Sequence, residues 1–161
     1  MAEKEVLPWE KAKYIHMNII LEDLPEMKLV SLDCTGPEQL TPAYRSISSW
    51  AEQAGILTEE SKMLTIYKDS FTDTEEANVR LSASILCEGF DYLPEKFYRR
   101  TVGGGKHVKG HFVLDLEEFE KAWTLMYQWM NDQGYRPSGK DPFEVYHNNL
   151  LENPDQKAIV D

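Results

Sequence analysis

The chain has 161 residues, with 17 Lys and Arg against 28 Asp and Glu, a formal charge of −11, and 42% hydrophobic residues. That length suits one domain with a substantial core, and the hydrophobic share excludes a disordered polar chain. The negative charge argues against direct nucleic-acid binding through phosphates and suits a cationic partner better, although acidity also serves solubility alone. No run approaches the ~18–20 apolar residues that cross a bilayer. Met1 to Val6 lacks the basic-then-apolar order of a secretory signal, so a cytoplasmic chain without membrane contact is expected.

Residues 1–20 read as an N-terminal extension or linker, with Pro8 to Ala12 able to begin a short helix. A strand is expected from Lys28 to Cys34, then a turn at Gly36-Pro37. Ala43, Ile47, Trp50, Ala51 and Ala54 recur at helical spacing, with Thr41 as N-cap, Pro42 in the first turn and Gly55 as terminator. Two strands follow, Leu64 to Tyr67 and Val79 to Cys87, both alternating as half-buried strands do. Gly103-Gly104-Gly105-Lys106 reads as a flexible hairpin. It is not a phosphate loop, because Arg100 stands at the required first glycine and His107 replaces Ser/Thr. Arg99-Arg100 reads as a solvated strand edge.

A strand from about His107 to Val113 leads to a second helix with Phe119, Ala122, Trp123, Met126, Trp129 and Met130 on one stripe. Asp115 with Glu118 offers a capping box, and Gly134 ends the helix. Phe143 to Tyr146 is a strand, and Lys157 to Asp161 reads as the start of another, so the natural chain is expected to continue. Trp50 and Trp129 are expected in the core beneath their helices. Cys34 and Cys87 are too few for a disulfide framework and lack metal-ligand spacing, so both are expected to be reduced and buried. His107 and His111, four apart on a strand, are separated by roughly 13 Å, too far for one ion. No metal and no cofactor are expected.

The elements repeat. Trp50 and Trp129 lie 79 positions apart, and the same offset relates Ala43 to Ala122, Gly55 to Gly134 and Tyr67 to Tyr146. Tyr44 with Trp123, Ile66 with Val145 and Leu64 with Phe143 are similar pairs in the same register. The expected fold is α+β: two tandem strand–helix–strand–strand modules, 21–92 and 93–161, in one domain with pseudo-twofold symmetry. Helices cover one face of an antiparallel sheet and a ligand groove opens on the other. Period-two alternation sends Leu64, Ile66, Phe143 and Val145 one way, towards the helices, and Thr65, Tyr67, Glu144 and Tyr146 into the groove.

Tyrosine faces attract cations by roughly 0.5–2 kcal/mol each, and a carboxylate between them neutralises charge. Glu144 has Thr65 as its repeat mate, so one acid occupies the centre. Pattern alone leaves Glu144 divided between that role and a solvated place on a wet sheet face. No Ser–His–Asp set is recognisable.

Asp141-Pro142-Phe143-Glu144-Val145-Tyr146-His147-Asn148-Asn149 resembles the signature of the GyrI-like, or bacterial transcription-activator effector-binding, superfamily. Leu24 to Val30 with Thr35-Gly36-Pro37 resembles that family's first strand and Gly-Pro turn, and the tandem modules match over about residues 19–161. In the second module Asp115-Leu116 stands where the Gly-Pro turn would be. The resemblance implies a small-molecule-binding domain for cationic or amphipathic organic ligands, with the pocket acid at Glu144 and aromatic walls at Tyr146 and Tyr67. Such domains serve as effector-sensing parts of transcription regulators, as drug-binding proteins and as a gyrase inhibitor, so gyrase or transcription machinery is an expected protein partner. Binding is favoured over catalysis. If the chain is an enzyme, the resemblance implies a hydrolase of cyclopropane-containing electrophiles that uses Glu144. Thr65 completes the expected ligand-binding set.

Overall fold

Two long strands organise the molecule. In the computed structural model, which describes residues 18–58, 61–70, 74–88, 92–114, 118–146 and 158–160, β1 runs Asn18–Thr35 and β4 runs Phe97–Leu114. They pair antiparallel from Asn18 opposite His111 to Leu32 opposite Phe97. The first strand therefore begins at Asn18, not Lys28. The expected hairpin at Gly103–Gly105 is instead a bend inside β4. These glycines take φ of 80°, 78° and 90°, a left-handed conformation that side chains disfavour, and a Cβ on Gly103 would strike the Pro25 carbonyl. Pro25, which has no N–H to donate, stands across from this bend between the pairs Leu24–Gly105 and Glu26–Gly103.

Helix α1 spans Leu40–Gln53 and α2 spans Phe119–Asp132. The Gly36 N–H donates to the Val79 carbonyl at 2.8 Å, and Pro37–Gln39 forms a 3₁₀ turn that feeds straight into α1. That turn moves the helix start ahead of Thr41, so no side chain caps it. Glu118 precedes α2, also without a side-chain cap, and Asp115 lies outside the described residues. The C-termini close as expected. Gly55 and Gly134 take φ of 73° and 81°, while the N–H groups of Ile56 and Tyr135 return to the carbonyls of Ala51 and Met130.

With β2 (Met63–Tyr67), β3 (Arg80–Leu86), β5 (Phe143–Tyr146) and β6 (Ala158–Val160), the strands close in the order β1-β3-β2-β5-β6-β4. Each half thus runs strand, helix, strand, strand, and the halves meet at two seams. At one seam Thr65 faces Glu144, and at the other Pro25 stands across from Gly104. Both pairs are 79 positions apart, the offset read from the sequence. A residue that faces its own counterpart sits on a twofold axis, so the α+β pseudo-twofold arrangement follows directly from the register.

Closure buries surfaces that an open sheet would leave wet. From Leu81 to Ile85 every residue of β3 is buried, not alternate ones, and the Ser31 and Ser84 hydroxyls satisfy each other at 2.7 Å. Arg100, expected on a solvated edge, instead lies on a paired strand and donates to Asp141 at 2.8 Å. Val30, Ile85, Ile47 and Ala51 pack α1 onto the sheet, with Trp50 edge-on to Phe97 at 5.6 Å. Phe112 and Ala122, with Phe119 and Met126, do the same for α2. Trp129 departs from its expected core place: it flanks that stripe, half-buried, and stacks on the exposed Tyr135 at 6.0 Å. Cys34 and Cys87 are half-buried thiols.

The expected side-chain faces are reversed. Leu64, Ile66, Phe143 and Val145 cluster with Leu29, Val102 and Met27, a group that contains no helix residue. Thr65, Tyr67, Glu144 and Tyr146 take the side where the helices lie, because there Tyr44 of α1 and Trp123 of α2 reach them. Alternation shows which residues share a face. It does not show which face a helix covers.

Candidate ligand-binding site

Glu144 lies at the middle of the β2–β5 seam and is 2% exposed. An unpaired buried carboxylate is costly, so its oxygens must find donors. Three are in place. The Tyr67 hydroxyl donates to Oε2 at 2.7 Å, the Trp123 indole Nε1–H donates to the same oxygen at 2.6 Å, and the Tyr146 hydroxyl reaches Oε1 at 2.5 Å. No basic side chain among the described residues pairs with this acid. Burial raises the pKa of Glu144, and the hydrogen bonds from Tyr146, Tyr67 and Trp123 only partly oppose it. Burial followed by the charge of Glu144 pushes Tyr67 and Tyr146 well above an ordinary phenol, so both remain donors.

The counterpart position is equally polar but neutral. Thr65 is fully buried, and its hydroxyl meets those of Tyr44 and Tyr146, at 2.6 Å for the latter. Tyr44 also donates to the Leu64 carbonyl, and burial raises its pKa. Tyr146 has one proton to share between Thr65 and Glu144, so it joins the two centres. The rings are interlocked edge-on: Tyr44 with Tyr146 at 6.2 Å, and Tyr67 with Trp123 at 5.7 Å.

Beside Glu144, between α2 and strands β4 and β5, lies a cavity of about 810 Å³. Phe112, Phe119, Met126 and Met130 supply apolar wall, and Gly110 leaves room because a Cβ there would meet the Met126 sulfur and the Phe112 ring. The size and mixed lining suit a drug-sized organic molecule. The four expected site residues are brought together, but in two layers. Glu144 lines the cavity, whereas Thr65, Tyr67 and Tyr146 are outside its lining: Tyr67 and Tyr146 bond the carboxylate, and Thr65 bonds Tyr146. Trp123 was missed as a site residue. Its signal was present, since a polar-tipped aromatic stands at the same place as Tyr44 on an otherwise apolar helix face. Among the described residues no group of three metal-ligating side chains occurs, and His107 packs against the Phe143 ring at 6.1 Å.

The family model of the GyrI-like small molecule binding domain matches residues 17–161. The chain belongs to this family. A DNA gyrase inhibitor of Pectobacterium carotovorum is 30% identical over 135 residues, covering 81% of this chain and 86% of the inhibitor. DNA gyrase inhibitor 2 of Dickeya dadantii is 24% identical over 81% of this chain and 85% of its own length. Among solved structures, the GyrI-like chain is similar to the C-terminal domain of EcmrR, with a TM-score of 0.69, 17% identity and coverage of 89% and 92% of the two chains. In the complex of EcmrR with DNA the TM-score is 0.76 at 17% identity, covering 94% of this chain and 58% of EcmrR, so the chain spans little more than half of that protein. A hydrolase of Listeria innocua shares the fold at 15% identity and a TM-score of 0.53, with 94% of each chain covered. No helix among the described residues is long and apolar enough to cross a membrane.

Proposed function

We propose that this GyrI-like domain is a cytoplasmic sensor or sequestering protein for a cationic or amphipathic organic molecule. The ligand's positive charge sits at Glu144, and its apolar body lies against Phe112, Phe119, Trp123 and Met126. One observation carries this reading: Glu144, 2% exposed, with its carboxylate held by three donors and paired with no cation among the described residues, lines a cavity of about 810 Å³. A cationic ligand supplies the missing countercharge in a poorly solvated site, where that charge counts most. A neutral ligand gives no such return.

Glu144→Gln is expected to weaken a quaternary-ammonium dye by about tenfold or more while leaving a neutral dye of the same shape nearly unaffected, as read by fluorescence titration. Equal losses for both would remove Glu144 from this role. The similarity to DNA gyrase inhibitors supports gyrase as a protein partner, which a supercoiling assay with purified gyrase tests directly.

A hydrolase is the second reading, favoured by burial that raises the pKa of Glu144 beside two phenols. The raised pKa suits a general base for water. Product release from a cyclopropane electrophile by wild type, abolished in Glu144→Gln, would establish it.

A further inference from the structure

The charge around the cavity runs against the charge of the chain. Among the described residues, four of the 17 Lys and Arg line it, namely Lys106, Lys109, Arg136 and Lys140, against Asp141 and Glu144 from the 28 Asp and Glu. Two of these six are engaged elsewhere: Asp141 accepts from Arg100 at 2.8 Å, and Lys109 lies 3.4 Å from Glu22. That leaves one buried acid at the inner end and three cations at the outer end. Lys106, Arg136 and Lys140 are exposed and make no ion pair with any described residue.

The fold brings these three cations to the lining of one cavity. The three left-handed glycines bend β4 just before Lys106, and the His107 ring that follows packs on Phe143 of β5. Arg136 and Lys140 come from the segment between α2 and β5, so both reach the same rim. A ligand that carried only positive charge would gain at Glu144 and be repelled on entry.

We propose that the cavity takes an amphoteric ligand, with a cationic centre at Glu144 and an anionic group (carboxylate, sulfonate or phosphate) held by Lys106, Arg136 and Lys140. This rests on the reading that Glu144 receives a cationic ligand. Lys140 lies four positions before Glu144, so their Cα atoms are at most about 14 Å apart. The anion is gripped at an exposed rim, so its contribution is salt-sensitive, whereas the inner contact is shielded.

The test uses two styrylpyridinium dyes with one chromophore, one N-hexyl and one bearing a sulfonate at the end of the same hexyl chain. Wild type is expected to bind the sulfonated dye at least about fivefold more tightly at low salt. Lys106→Gln, Arg136→Gln and Lys140→Gln combined should bring its affinity down to that of the hexyl dye, as should 0.5 M NaCl, at which the screening length is roughly 4 Å. Glu144→Gln weakens both dyes. If the sulfonate adds nothing in wild type while the hexyl dye still binds through Glu144, the amphoteric ligand is overturned and the cationic reading stands. If neither dye binds, or if binding ignores Glu144, both are overturned.

Discussion

The two sides of the β2–β5 seam use the same three positions for opposite ends. On one side Tyr44, Thr65 and Tyr146 form a neutral hydroxyl cluster beneath α1. On the other Trp123, Glu144 and Tyr67 form the charged counterpart beneath α2, with a cavity alongside. Counterparts lie 79 positions apart, and the tyrosines cross over, each serving the axial residue of the other half. The neutral half is not idle, since Tyr146 carries a donor from it to Glu144. On the proposed reading, a single acid on the axis converts a structural joint into a binding floor while both halves keep it desolvated. The helices differ to match: Ala43, Ile47 and Ala51 of α1 are buried, whereas in α2 only Ala122 is.

Making the two sides alike should be the most damaging change. Thr65→Glu places a second carboxylate, fully buried, directly opposite Glu144. Two acids at such a separation cannot both ionise, and an uncompensated buried charge costs about 3–5 kcal/mol. Urea denaturation at pH 7.5 should show a loss of that order, much reduced at pH 4.5 where one acid takes up a proton. An unchanged midpoint at pH 7.5 would mean that the seam is wetter than its burial indicates.

The helices provide the next contrast. Ile47→Ala empties a filled site that is 0% exposed, and about 3 kcal/mol should be lost. Met126→Ala removes a half-buried chain beside an existing cavity, so about 1 kcal/mol is expected. Denaturation of the two variants measures the difference, and a reversed order would put the tighter interface under α2.

At the two polar tips the effects narrow. Trp123→Phe removes a hydrogen bond to a carboxylate and should cost about 1.5–3 kcal/mol, while Tyr44→Phe removes a neutral one at about 1 kcal/mol. Cation-dye titration separates them further, because Trp123 lines the cavity and Tyr44 does not.

Much of this was legible in the sequence, and the misreadings share a physical cause. Helix stripes, terminal glycines and the 79-residue offset located both halves, because those signals are local or repeat along the chain. The length of β4 was hidden because Gly103–Gly105, which face Pro25 of β1, read as a hairpin. Opposite one another on paired strands they make a bend, and only the pairing reveals it. The residues around Glu144 were identifiable from spacing and from the family motif. Their direction was not, because in a closed sheet the alternating apolar set Leu64, Ile66, Phe143 and Val145 fills the side away from the helices. Trp123 was masked by its apolar neighbours, and its role depends on an indole N–H that hydrophobic periodicity does not count.

The gentlest probe compares the two axial residues by titration. Burial raises the folded-state pKa of Glu144 above its ordinary value of 4.5. Between these two values the native state holds a proton that the unfolded chain has released, so stability falls as pH rises through that window. Below 4.5 both states are protonated and the loss disappears. Glu144→Gln cannot titrate, so its melting temperature relative to wild type should climb from pH 4.5 to pH 8. Thr65→Val, which alters the neutral axial residue, should shift the melting temperature by a similar amount at every pH. If the Gln variant instead loses ground as pH rises, the three donors outweigh burial and the carboxylate is stabilised, not strained, in the unliganded fold.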